Sequence, residues 1–159
     1  MLFLAMRDRL QEIAPSLADI HAIEEMERTQ SSAGLHVLNR WHARQTVPGF
    51  LQARLGSADI SWLDRAVWKA DALCCEWTIE PSIGGGAIGC AGTTRFEPAM
   101  AGRGTRAVFA GELTIDPAFV ASLVGPFEAP VRSFVESVAT TLIPANFRAA
   151  AEAAAKLRA

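Results

Sequence analysis

The sequence predicts an α+β domain: short helices, then about six antiparallel strands joined by short turns, then a long C-terminal helix. Three observations carry that expectation. Residues 73–80 alternate without a break, with Leu73, Cys75, Trp77 and Ile79 on one face and Cys74, Glu76, Thr78 and Glu80 on the other. That is the period of a half-buried strand. Val131, Phe134, Val135, Val138 and Leu142 recur at i, i+3, i+4, i+7 and i+11, a single apolar stripe along a helix. Finally, strands come in a run with helices after them. An antiparallel sheet with one apolar face needs a cover, and the C-terminal stripe supplies it.

The elements follow in order. Leu4, Met6, Leu10, Ile13 and Leu17 recur at helical spacings, and Pro15 divides them into a helix to about Ala14 and a short turn over 16–20 capped by Ser16. Residues 23–30 read as a strand despite Glu24, Glu25 and Glu27, and Ser31-Ser32-Ala33-Gly34 turns it into a second strand over 35–44. Pro48-Gly49 and Gly56-Ser57 bracket an exposed loop or short turn around Phe50, Leu51 and Leu55. Strands follow over 61–69, 73–80, 88–96 and 105–115, with Gly111 marking a bulge or a close backbone approach. On the last strand Ala107, Phe109, Leu113 and Ile115 share a side. Asp116-Pro117 opens a helix, Pro130 opens the striped one, and Pro144 should kink or end it before the alanine-rich stretch 145–157.

Composition removes several function classes. The 159 residues are half hydrophobic and one-fifth charged, which excludes disorder and places residues 1–159 in one domain. Fifteen basic residues against seventeen acidic ones leave no basic footprint, so no nucleic-acid partner is expected. No long uncharged apolar run exists, so no integral membrane association is expected. The opening Met1-Leu2-Phe3-Leu4-Ala5-Met6 is too short for a signal-peptide core and has no basic residue before it. Three cysteines, two of them adjacent, form no disulfide framework and suit a reducing, cytoplasmic setting.

Bare motifs have plain structural readings. Gly84-Gly85-Gly86-Ala87-Ile88-Gly89 fits G-x-G-x-x-G, yet strand rather than helix follows it, so it reads as hairpin glycines and no cofactor is expected. Cys74 and Cys75 point to opposite faces, and His36 and His42 lie roughly 20 Å apart on a regular strand, so no metal is expected. Cys75 reads as a buried thiol. Glu76, Glu80, Glu97, Glu112, Arg95 and Arg106 read as outward cross-strand ion pairs.

A resemblance sharpens the picture. The chain resembles the START and polyketide cyclase-like (SRPBCC) helix-grip superfamily through Asp8-Arg9-Leu10, Asn39-Arg40-Trp41, Trp62, Trp68 and the run Cys75 to Pro81. Residues 93–98 and 104–113, with their Gly-Thr-Arg and Gly-Glu-Leu, are the most telling. The resemblance implies a curved sheet wrapped around the C-terminal helix, with a hydrophobic cavity between them that many members use for lipids, sterols, polyketides or hormones. Cavity candidates are then Trp41, Leu73, Cys75, Trp77, Phe96, Phe109 and Leu113 from the strands, and Val131, Phe134 and Val138 from the helix.

One departure stands out. Members usually begin with a strand that pairs with the last one, here 105–115, and this chain starts in a helix. The last strand is then an open edge needing a partner chain, a covering loop, Leu2-Phe3-Leu4 as a short substitute, or a strand encoded upstream. The leading functional expectation is binding of a small hydrophobic, lipid or polyketide-like molecule. The alternatives are a polyketide cyclase or dehydratase-type enzyme using a buried ionisable residue, and a module that homodimerises through the 105–115 edge.

Overall fold

The computed structural model describes residues 2–123 and 125–157. Six strands, β1 (Ile20–Ser31), β2 (Gly34–Thr46), β3 (Asp59–Lys69), β4 (Cys74–Pro81), β5 (Ile88–Ala99) and β6 (Gly104–Ile115), form one curved antiparallel sheet in the order β1-β2-β3-β4-β5-β6. Short helices α1 (Leu2–Asp8) and α2 (Leu10–Ile13) precede it, α3 (Gly49–Leu55) links β2 to β3, and α4 (Pro117–Ser122) follows β6. The C-terminal segment comprises α5 (Glu128–Ser137), one wide turn (Val138–Leu142) and α6 (Ile143–Lys156).

Side-chain alternation decides which face is covered. Val37, Asn39 and Trp41 on β2, Trp62, Ala66 and Trp68 on β3, and Cys75, Trp77 and Ile79 on β4 are all buried, with exposed or half-buried residues between them. The cover has two parts. Helix α6 packs on α1 and α2, and α5 packs on α3. Phe3 of α1 is wedged edge-on between Trp68 and Phe96, each ring centroid 5.3 Å away.

Several expectations change on contact with the structure. Residues 49–55 are a helix, not an exposed loop, because Leu51 and Leu55 both find the core; Gly56 ends it in the left-handed region, φ 73°. Ser16 caps nothing: its hydroxyl donates to the Ile13 carbonyl at 2.7 Å, and β1 starts at Ile20. The acidic strand β1 runs its full length because it is an edge strand, where charge is tolerated and blocks stray pairing. Leu2, Phe3 and Leu4 are helical, so they do not substitute for a strand beside β6, which is the other edge of the sheet. Asp116 does cap α4, accepting from the Ala118 N–H at 2.8 Å.

Pro144 neither stops nor sharply ends the last helix. The wide turn immediately before it relaxes the backbone where the proline ring removes a donor. The Thr140 hydroxyl donates to Glu136 O at 2.7 Å, and the buried Asn146 amide donates to Leu142 O at 2.9 Å, so side chains serve carbonyls on both sides of the turn.

Gly111 is a close approach. It pairs with Gly92, which pairs with Trp77, and the Trp77 indole lies across both glycines. A Cβ on Gly92 would sit 2.6 Å from Trp77 Cζ2, and one on Gly111 would overlap Cη2 of the same ring. Gly111→Ala is therefore expected to cost about 1–3 kcal/mol, lowering the thermal midpoint by several degrees. Gly89→Ala, whose new Cβ would have only the Ile79 carbonyl oxygen at 3.7 Å, is the control and should leave the midpoint nearly unchanged in the same calorimetry.

Candidate functional site

Between the covered face of the sheet and α6 lies a small inner cavity of about 30 Å³. That is room for roughly one or two water molecules. Its floor is Trp41 from β2, Trp62, Asp64, Ala66 and Trp68 from β3, and Cys75, Trp77 and Ile79 from β4. Its roof is Met6, Leu10, Ile143 and Phe147, and Phe109 of β6 closes one side. All four tryptophans of the chain are in this lining. Trp41 and Trp62 stack at 5.7 Å, and Trp77 and Phe109 stack at 4.3 Å with planes 4° apart. The Trp77 indole N–H donates to Thr94 Oγ1 at 3.1 Å, which fixes the ring in its plane.

A second, solvent-open groove of about 550 Å³ runs between β6 and α6, bordered by Thr105, Ala107, Ala151 and Glu152. Phe109 and Phe147 line both spaces, and their rings sit 4.4 Å apart. The ring pair is the partition between groove and cavity.

Asp64 is the one carboxyl in the cavity lining. It sits at the inward parity of β3, in register with Asn39 on one side and Ile79 on the other. Burial pushes its carboxyl up to about 7, and the Trp41 indole N–H pulls weakly the other way. Trp41 Nε1 nevertheless has no hydrogen-bond partner at contact geometry, nor do Trp68 Nε1 and Asn39 Oδ1, all three deeply buried. Buried polar atoms are satisfied in the great majority of cases, and each orphan costs about 1–3 kcal/mol. Three unpartnered polar atoms and one half-buried acid on one patch of a core face define the candidate site.

The expected residues divide. Trp41, Cys75, Trp77 and Phe109 line the cavity. Phe96 is buried but belongs to the Phe3–Trp68 cluster, and Val131 and Val138 are buried on the helix outside the lining. Leu113 and Phe134 are half-buried and outside it too. Leu73 is corrected outright: it occupies the β3–β4 turn at φ 46° and is 45% exposed, because the strand begins one residue later. The helical side of the cavity comes from α6 rather than α5, since α5 rests on α3 while α6 reaches α1 and α2.

Asp64 escaped the sequence reading, although it lies two residues from Trp62 and from Ala66. A carboxylate on the apolar parity of a strand was the available signal. Other expectations hold their ground. Cys75 is buried with its thiol pushed up by desolvation, Gly84–Gly86 all have positive φ and lead into β5, and Glu97 meets Arg106 at 2.6 Å on the outer face. His36 Nε2 is 2.8 Å from Ser31 Oγ, and His42 Nε2 is 3.6 Å from Glu24, so both histidines serve the β1–β2 hairpin. Among the described residues no three His, Cys, Asp or Glu side chains are grouped to hold a metal ion, and no helix is long and apolar enough to cross a membrane. Comparison with protein-family models, with curated proteins and with solved structures finds no match to this chain.

The sign of the Asp64 effect is fixed by its raised value. The folded carboxyl holds its proton more tightly than the unfolded one, so its favourable contribution is complete below about pH 4, declines as pH rises, and is gone above about pH 7. The difference amounts to on the order of 4 kcal/mol. Asp64→Asn is therefore expected to match the parent protein in urea stability at pH 4 and to exceed it by a few kcal/mol at pH 8. An equal stability difference at both pH values would contradict the buried placement of the carboxyl.

Proposed function

We propose that this domain binds a small, predominantly apolar molecule between its sheet and its C-terminal helix, in the manner of the helix-grip proteins that the sequence resembles. The observation that carries the reading is the concentration of aromatic walls, unpartnered buried polar atoms and one acid on the same patch. Structural cores avoid that combination, whereas ligand pockets pair mostly apolar walls with a few polar groups. The inner cavity alone is too small for an organic molecule. Rotation of Phe109 and Phe147 would join it to the outer groove and bring the volume into the range of ordinary ligand pockets, about 300–1,000 Å³.

The chain has no tyrosine, so its intrinsic fluorescence comes from the four cavity tryptophans and reports directly on occupancy. Native mass spectrometry of freshly purified protein, followed by organic extraction, is expected to release a discrete apolar molecule, and re-addition should quench the tryptophans. Phe147→Ala should accelerate that uptake in stopped-flow fluorescence. A bare mass with no fluorescence response to an apolar panel would count decisively against the reading.

Asp64 favours one second reading, a cyclase or dehydratase-type enzyme in which the acid moves a proton on a bound chain. In that case Asp64→Asn abolishes turnover and spares binding, whereas a carrier shows no turnover to lose. The open edge of β6 supports pairing with a second copy of the chain as a separate property. Analytical ultracentrifugation across a hundredfold concentration range should then show a dimer that Val108→Pro, at the middle of that edge, dissociates.

A further inference from the structure

We infer that the inner cleft selects an organic cation, its ammonium or quaternary ammonium group set against Asp64 and the indole walls; this rests on the cleft being a ligand site. The argument is one of charge and surface. The lining holds one carboxyl and no lysine, arginine or histidine. An anionic ligand would therefore face Asp64 with no counter-charge. A purely hydrocarbon ligand would seal the carboxyl and the orphaned polar atoms away from water with nothing to offset their desolvation.

A cation answers the charge objection, because it supplies the counter-charge that Asp64 lacks; the two indole N–H donors, Trp41 Nε1 and Trp68 Nε1, call for an acceptor elsewhere on the same molecule. In a water-poor cleft its attraction to a carboxylate is far stronger than in solution. The remaining walls suit it as well, because indole rings present negative quadrupole faces, and tryptophan is the best aromatic partner for a cation. Trp41, whose indole N–H is directed at Asp64, and Trp62, two residues from it on the same face, supply such ring faces; Trp77 does not, since Gly92 and Gly111 lie under its ring and Phe109 is stacked on it. The carboxylate oxygens accept N–H donors from a primary or secondary ammonium, while a quaternary one needs only charge and ring faces.

The other titratable group in the lining is Cys75, whose thiol burial keeps protonated at any working pH. Met6 of α1, Leu10 of α2, Phe109 of β6, and Ile143 and Phe147 of α6 bring none. Between pH 5 and pH 8, cation binding is thus governed by Asp64.

Three isosteric probes test this by tryptophan fluorescence at pH 8: benzyltrimethylammonium, neutral neopentylbenzene and anionic phenylmethanesulfonate. The cation is expected to bind at least tenfold more tightly than the hydrocarbon, and the anion not to bind. Asp64→Asn should erase the cation's advantage while the hydrocarbon's affinity stays within a fewfold. With the unaltered protein, cation affinity should fall more than tenfold from pH 8 to pH 5 as hydrocarbon affinity holds, which keeps the test independent of how the variant folds. Equal affinity for cation and hydrocarbon, or a pH-independent cation affinity, overturns the inference and leaves the apolar-ligand reading standing. Silence from all three probes, with no mass adduct, overturns both.

Discussion

One indole lying flat on two glycines determines the depth of the covered face. Trp77 extends from β4 over Gly92 of β5 and Gly111 of β6, a line of three register partners in which two have no side chain. A Cβ at either position would overlap the indole and the neighbouring backbone alike, Ala110 O beside Gly92 and Ala91 O beside Gly111, so a side chain there displaces both the ring and the ladder beneath it. With the ring down, the Thr94 hydroxyl fixes its edge, Phe109 stacks on it, and Phe147 rests on Phe109. The seat of the last helix is therefore built outward from the glycine pair, ring by ring. The size of the inner cavity is what remains after that stack closes.

Asp64 works against this economy. Desolvation of the Asp64 carboxyl lowers stability at neutral pH, and an apolar residue there would pack without that cost. On this patch of the covered face an acid and three unpartnered polar atoms share largely apolar surroundings. A conflict between local preference and burial is characteristic of positions held for function rather than for folding. The charged pairs of the outer face present no comparable conflict. Lys69–Glu76 and Arg106–Glu97 are solvent-exposed cross-strand contacts of small energetic consequence.

Much of the fold was legible because the period of two survives in the strands that face the helix. Cys75, Trp77 and Ile79 and the stripe at 131, 135 and 138 announce their burial directly. Where legibility failed, a local signal was overridden by distant contacts. Leu73 continued the alternation on paper, yet a left-handed turn took it out of the strand. Phe50, Leu51 and Leu55 looked like loop because seven residues give too short a helical pattern to recognise, and only tertiary burial of Leu51 and Leu55 makes α3 worthwhile. The site was hidden for a different reason. Asp64 and Asn39 become neighbours only through the β2–β3 register, which no single strand encodes.

The two layers of the site differ in what holds them. The floor belongs to strands of eight to thirteen residues locked into a continuous ladder. The roof is drawn from α1 and α2, seven and four residues long, and from α6 just beyond a wide turn at a proline. Helices that short have no stability of their own and keep their shape through tertiary contacts. For α1 those contacts include the Phe3 wedge, packing against α6, and the Arg28–Asp8 ion pair at 3.1 Å, the last partly exposed and weak. Local opening follows the least stable unit. The roof is therefore the less stable layer of the site, and the sheet that carries Asp64 the more stable one.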